Sequence, residues 1–262
     1  MTAVRTPAVA GMFYPNNARK LHEQIQNFLA QAESDGPAPK AIIAPHAGYI
    51  YSGPVAASAY ARLRAARDII RRVVLLGPSH RVGFRGLAIS QMDTFATPLG
   101  DIPIDHEAIA QLRDLPYIGA LERAHVQEHS LEVHLPFLQE VLGDFKLVPL
   151  VVGDATPEQV GAVLELLWGG PETLIVISSD LSHYHDYETA KRLDAATSKA
   201  IESLRYEAIQ GEDACGFHPV NGLLWLARRK GLHGVMIDLR NSGDTAGPRD
   251  QVVGYGAYVF NE

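Results

Sequence analysis

The feature that most constrains this chain is a rhythm of short apolar runs, each followed by a stretch of helical character. The runs cover residues 41–44, 73–76, 147–152, 174–177, 235–239 and 252–260. They are rich in Val, Ile and Leu and bounded by Gly, Pro or Ser, the pattern of strands buried on both faces. Between them, helices are expected over 55–66, 106–113, 131–142, 157–168, 187–204 and 219–229. An earlier helix follows Asn16 or Asn17, either of which can cap a segment whose Leu21, Ile25, Phe28 and Leu29 share one face. The apolar segment 7–15, punctuated by Pro and Gly, reads as extended chain lying on the core. Strands alternating with helices predict an α/β fold with a central, largely parallel or mixed sheet flanked by helices on both faces. The last two strands are close in sequence, which allows an antiparallel portion.

Composition narrows the class further. A chain of 262 residues with 47% hydrophobic and 20% charged residues can bury a sizeable core. No internal repeat or linker interrupts it, so one domain over 1–262 is expected. The net charge of −7 argues against nucleic acid as a partner, because such binding needs a basic face to release counterions. The basic groups Arg71-Arg72 and Arg228-Arg229-Lys230 border apolar runs and read as solvated element ends. The single cysteine, Cys215, cannot form an internal disulfide, which fits a reducing compartment. No run reaches the ~18 apolar residues that span a bilayer, and the first residues lack the apolar core of a signal peptide. The expectation is a cytoplasmic protein with no membrane partner.

The chemistry collects just after the strands. The run 41–44 leads into Pro45-His46-Ala-Gly-Tyr49, 73–76 into Gly77-Pro-Ser-His80, and 174–177 into Ser178-Ser-Asp180-Leu-Ser-His183. Ligands bind at the carboxyl edge of open α/β sheets. If these strands are parallel neighbours, His46, His80 and His183 emerge on one rim. Cys215 lies in Ala214-Cys-Gly-Phe-His-Pro219, ahead of a helix whose N-terminal dipole would favour the thiolate. A lone loop histidine is ordinarily structural, and a lone cysteine is ordinarily a small hydrophobe; three histidines at equivalent strand ends weigh against that reading. The cluster Glu128-His129-Ser130-Leu-Glu132-Val-His134 is also dense. His129 and His134, five apart, would sit about 140° apart on a helix and cannot form a His-Glu-x-x-His metal pair. His129 with Glu132 or Glu128 could line the cleft, or the glutamates could only favour a helix N-terminus. His106, His125, His185 and His218 read as exposed or structural, and Asn241-Ser-Gly-Asp-Thr245 as a ligand-facing loop or an ordinary turn. No Walker-type loop, dinucleotide fingerprint or paired-cysteine zinc motif occurs.

Six motifs in chain order carry a family resemblance: Ala8-Val-Ala-Gly-x-Phe-Tyr-Pro15, Pro45-His-Ala-Gly-Tyr49, Gly77-Pro-Ser-His80, Glu128-His-Ser-Leu-Glu-x-His-Leu-Pro136, Ser178-Ser-Asp-x-Ser-His183 and Cys215-Gly-x-His-Pro219. Over nearly its whole length the chain resembles the MEMO family, whose prokaryotic members are called AmmeMemoRadiSam system protein B. The resemblance implies a fold similar to class III extradiol dioxygenases. It also implies metal ligands at His46 and His80, Cys215 where those enzymes use a carboxylate, and His183 as the acid/base histidine. Asp180 then orients a histidine, while Tyr49, His129 and Glu132 line the cleft or support the ligands. Thiolate in place of carboxylate softens the site toward zinc or copper, with iron the ion expected if the chemistry is oxidative. Three functions stay open: a metal-dependent dioxygenase-like oxidoreductase; a non-catalytic metal-binding or ligand-binding module; and a cysteine hydrolase using Cys215. Expected partners are a small molecule or peptide in the cleft and the radical-SAM protein implied by the system's name.

Overall fold

A computed structural model describes residues 2–261. Its strands are β1 (Val4–Arg5), β2 (Ala41–Ala44), β3 (Arg72–Pro78), β4 (Leu87–Ile89), β5 (Thr94–Thr97), β6 (Gly100–Pro103), β7 (Ile118–Ala120), β8 (Lys146–Val152), β9 (Thr173–Ser178), β10 (His183–His185), β11 (His233–Asn241) and β12 (Val252–Asn261). The helices are α1 (Ala18–Gln31), α2 (Tyr49–Ala61), α3 (His106–Ala110), α4 (Glu122–Val126), α5 (Leu135–Val141), α6 (Pro157–Leu166), α7 (Tyr187–Glu202), α8 (Phe217–Lys230) and α9 (Ser242–Thr245). The main sheet runs β10-β12-β2-β9-β3-β8-β4-β7, with β11 also paired to β12. Its centre, β2-β9-β3-β8, is parallel throughout. Antiparallel pairing enters through β12 on one side and β4 on the other.

All six apolar runs are strands, and the central four are buried along almost their whole length. That burial is why they carry Val, Ile and Leu without alternation. The closing pair, β11 and β12, is antiparallel. Helices cover both faces: α2 packs on β2 and β12 with α1 and α5 beside it, and α8 packs on β3 and β9 with α6 against its outer side. Among the described residues no helix is long and apolar enough to cross a membrane.

Local chemistry sets the helix ends. Asn17 caps α1 by accepting from the Lys20 amide at 3.1 Å, and Leu21, Ile25 and Leu29 are buried beneath it. Asn241 caps α9 in a capping box, so the 241–245 string is a turn and short helix. The basic run 228–230 closes α8, where positive charge suits the helix C-terminus. α2 begins six residues earlier than its expected start at 55, because it is apolar or small on nearly every face and is held by burial. The three-stranded sheet β1-β5-β6 and the short strands β4, β7 and β10 have no counterpart among the apolar runs. They are two to four residues long and mostly partnered at edges, too short for a periodic signal.

One buried carboxylate imposes a pH dependence. Asp194, on α7, is 2% exposed and accepts from the Ser182 amide at 3.0 Å. Burial pushes its pKa up to about 6, with the Ser182 hydrogen bond opposing. Between the model-peptide value of 3.8 and about 6, the unfolded chain releases a proton that the folded chain keeps. The contribution of Asp194 to stability is therefore full below that window, declines as pH rises through it, and is lowest above it. Asp194→Asn keeps an acceptor for Ser182 but does not titrate. Denaturant titrations should show wild type losing on the order of 3 kcal/mol relative to the variant across the window. Parallel pH profiles would refute this account.

Candidate metal centre

Strand β9 lies between β2 and β3, and all three are parallel, so the residues after their carboxyl ends share one rim. His46 follows β2, His80 follows β3, and Ser178 ends β9 between them. Cys215 reaches the same place from the turn before α8. The ligand-capable atoms of His46, His80 and Cys215 lie within 4.8 Å of one another. Cys215 Sγ is 3.3 Å from His46 Nε2. His46 is buried, Cys215 half-buried and His80 exposed at the rim. Two glycines make this convergence sterically feasible. A Cβ at Gly216 would collide with the Ser178 carbonyl, and one at Gly77 would sit 2.7 Å from Ser130 Oγ.

Hydrogen bonds fix which nitrogen of each imidazole faces the cluster. Ser178 Oγ donates its only proton to the Ser130 carbonyl at 2.6 Å, so it must accept from His46 Nδ1–H, also at 2.6 Å. His46 Nε2 is then the unprotonated nitrogen, and it faces Cys215. Glu128 accepts from His80 Nδ1–H at 2.8 Å, from the His80 amide at 2.6 Å, and from the amides of His129 and Ser130 at 2.9 Å each. Burial alone would raise its pKa, but the bonds and charge of His80 bring it down to about 2. A carboxylate on Nδ1–H likewise orients the His80 ring, leaving Nε2 as the nitrogen free to face the cluster. Both histidines are thus anchored through Nδ1 by a hydroxyl or a carboxylate, an arrangement that would orient metal-bound imidazoles.

The donors fit a transition metal. Bonds of about 2.1 Å to nitrogen and 2.3 Å to sulfur at tetrahedral angles separate the two donors by roughly 3.6 Å, close to the observed 3.3 Å. Electrostatics agrees. Burial, then the neighbouring His80, His129, His134 and His183, hold His46 well below the usual imidazole range. Burial, then Asp180, push the Cys215 thiol up, outweighing the helix-dipole effect anticipated from its position before α8. A buried imidazole that resists protonation beside a thiol that resists ionisation describes a site where a cation would be needed to favour thiolate.

The other residues singled out in the sequence fall into two groups. Asp180 is buried; its Oδ1 accepts from the His46 amide at 2.7 Å and its own amide donates to Cys215 Sγ at 3.3 Å, tying the two ligands together. Burial raises its pKa to about 7, against the opposing His46 amide bond. His183 opens β10, half-buried, with burial lowering its pKa. A register shift and the left-handed backbone of Tyr184 (φ 61°) leave Tyr184 and His185 exposed beside it. His129 stacks on His80 at 4.5 Å and meets His46 edge-on at 5.5 Å; burial, then His80, lower its pKa to about 4. Glu132 and Tyr49 are spent on architecture. The Glu132 carboxylate, fully buried, binds Arg5 Nη1 at 2.8 Å, the Ala8 and Val9 amides and the Tyr14 hydroxyl. The Tyr49 hydroxyl donates to the Val133 carbonyl at 2.7 Å. His134 is buried against Tyr60 and, among the described residues, belongs to neither metal-capable group. His125 is buried, His218 half-buried on the Ala155 carbonyl, and His106 and His185 exposed. Ser178, Ser130 and Phe13 were not anticipated at the site. The only sequence signal was their place in the motifs.

Comparison with known proteins gives the family. A mixed α/β sheet with a histidine–cysteine cluster at its carboxyl rim defines the class, and the family follows from the sequence matches. The Memo-like protein family model matches residues 5–259. A MEMO1 family protein of Aquifex aeolicus (strain VF5) is 38% identical over 268 residues, covering 98% of this chain and 99% of that protein. MEMO1 family proteins of Saccharolobus islandicus (strain Y.G.57.14) and Saccharolobus solfataricus are 36% and 35% identical, each match covering 98% of this chain and 99% of that protein. The chain belongs to the Memo family. A crystal structure of the uncharacterized protein JW3007 from Escherichia coli K12 aligns with a TM-score of 0.53 at 13% identity, covering 85% of this chain and 99% of that one. That likeness speaks to fold alone.

Removing the anchor of the N-terminal segment tests the architecture apart from the cluster. Glu132→Ala would leave the Arg5 guanidinium, 4% exposed, without its counterion. The expected loss is about 3–5 kcal/mol of unfolding free energy by denaturant titration. A loss under about 1 kcal/mol, the scale of an exposed pair, would contradict the buried-pair assignment.

Proposed function

We propose that this chain is a transition-metal protein in which His46 Nε2, His80 Nε2 and Cys215 Sγ hold one ion, and that it acts as an oxidoreductase on a small molecule in the cleft. The observation that carries the reading is the anchoring of both imidazoles through Nδ1: Ser178 and Glu128 each accept from an Nδ1–H, and His46 Nε2 lies 3.3 Å from the thiol sulfur. An ion held by three protein donors keeps open positions for a small ligand and, if redox-active, supplies one-electron chemistry with dioxygen. The softened donor set suits zinc and copper and admits iron, which the oxidative reading requires. His183 stands at the cleft as the proton acceptor for a bound hydroxyl. Asp180 keeps His46 and Cys215 in register through its carboxylate and its amide. The family's resemblance to extradiol dioxygenases supports an oxidative role, with the thiol as the departure from their carboxylate.

Exposed apolar side chains near the rim favour a second reading. Ile50, Tyr51 and Tyr184 are 58%, 36% and 71% exposed, an arrangement suited to a partner surface. In that case the site is a non-catalytic metal-binding module working with AmmeMemoRadiSam partners such as a radical-SAM enzyme. A cysteine hydrolase is disfavoured, because it needs a thiolate–imidazolium pair and burial opposes both charges.

Elemental analysis of untagged protein purified without oxygen decides the metal. Near-stoichiometric iron, copper or zinc is expected in wild type and should vanish in Cys215→Ser and His80→Ala. Glu128→Gln should stay folded by circular dichroism and bind the metal roughly 10–100-fold more weakly. Equal metal in all four proteins would refute the site. Iron-loaded protein that consumes no dioxygen with a broad set of phenols would shift the assignment to the binding module.

A further inference from the structure

A buried row of aromatic rings leads away from the cluster. Phe13 packs on His129 at 4.8 Å, and Tyr14, next in the chain, lies 5.5 Å from Tyr49. Tyr49 is 5.0 Å from Phe137, and Phe137 stacks on Tyr60 at 5.0 Å with only 10° between the planes. The row ends where the Tyr60 hydroxyl meets His134 Nδ1 at 2.7 Å. Tyr49, Phe137, Tyr60 and His134 are each at most 2% exposed.

Packing accounts for the rings but not for the terminal pair. His134 Nε2 is buried with no hydrogen-bond partner. If His134 carried its proton on Nδ1, both the Nε2 lone pair and the phenolic hydrogen of Tyr60 would go unpaired. With Tyr60 donating, only Nε2–H is left over, so Tyr60 is the donor and His134 Nδ1 presents a base to the phenol. A phenylalanine and an apolar residue of similar shape would leave nothing unpaired. The other two tyrosines lack a comparable base. Tyr49 donates to the Val133 carbonyl, and Tyr14 to a Glu132 carboxylate already committed to Arg5 and two amides.

We propose that Tyr60 and His134 form a redox-active pair that draws one-electron oxidising equivalents away from the histidine–cysteine cluster along this row of rings. The source of those equivalents rests on the oxidative reading of the site: a transition metal in its oxidised state. In the step, Tyr60 gives up one electron, which reduces that oxidant by one unit, and its phenolic proton crosses to His134 Nδ1. The products are a neutral tyrosyl radical and a protonated His134. A thiol-class reductant returns one electron, the proton goes back, and the O–H bond re-forms. Tyr49 and Phe137 bridge the distance to Tyr60 without being oxidised themselves. The pair diverts unproductive oxidation from Cys215, the side chain at the cluster most open to irreversible damage.

The test is freeze-quench electron paramagnetic resonance on the full chain, in two arms. One uses photogenerated tris(bipyridine)ruthenium(III) on protein without added metal; the other uses hydrogen peroxide on protein loaded with iron(II). A tyrosyl signal is expected that is lost in Tyr60→Phe and kept in Tyr184→Phe. His134→Gln, which retains an acceptor but a far weaker base, should lose the signal while thermal unfolding still reports a folded protein. A Tyr60-dependent signal in either arm supports the pair. Its presence in the ruthenium arm alone supports the pair but removes a metal oxidant as its source, separating this proposal from the oxidative reading. A signal unchanged by Tyr60→Phe in both arms would overturn the pair.

Discussion

The site depends on β9 pairing in parallel between β2 and β3. That pairing brings the ends of three strands to one rim and puts Ser178 where its hydroxyl reaches His46. A strand order that separated β2 from β3 by more than one strand would carry His46 and His80 beyond reach of a shared ion. Strand spacing in a sheet is about 4.8 Å, so two strands flanking a third lie roughly 10 Å apart, a gap that two facing side chains can close. The three side chains converge because of the sheet.

A second layer, contributed by the 128–134 segment, makes the rim chemically definite. Glu128 holds His80 by both backbone and ring, and the Ser130 carbonyl takes the Ser178 proton. Ser130 Oγ in turn donates to the Pro78 carbonyl at 2.8 Å, fastening the segment to the end of β3. The same stretch contributes Glu132 to the opposite side, where it captures the N-terminal residues, and His134 deeper still against Tyr60. A short piece of chain thus serves ligand orientation, the attachment of residues 5–14 and the core, which explains its density of polar residues in a buried setting.

The central strands were legible because burial on both faces leaves a continuous apolar signature. His46, His80 and His183 were legible because they follow such strands at once. What was not legible is informative in physical terms. Whether β2, β9 and β3 are neighbours is a property of tertiary pairing and leaves no local pattern. Glu132 looked as suited to the cleft as Glu128, since charge and spacing are alike. Only the partner chain segments distinguish them, Arg5 and Tyr14 for one and His80 for the other. The expected ease of ionising Cys215 followed from its place before α8, yet burial and Asp180 dominate the local field. Ser178 is an ordinary strand-end serine in sequence and gains meaning only from the imidazole opposite.

The long strand β12 has a consequence for the order in which the protein is made. It pairs with β11 along most of its length, with β2 near its carboxyl end, and with β10 through Val252 and Val253. The donors His46, His80 and Cys215, with Ser178 and Glu128 behind them, all precede residue 217 and can assemble on strands already synthesised. The strand that carries His183 has no partner until residues 252–253 have left the ribosome. A nascent chain can therefore gather His46, His80 and Cys215 before His183 has its own strand in place, and the His183 side of the cleft is the last to be built.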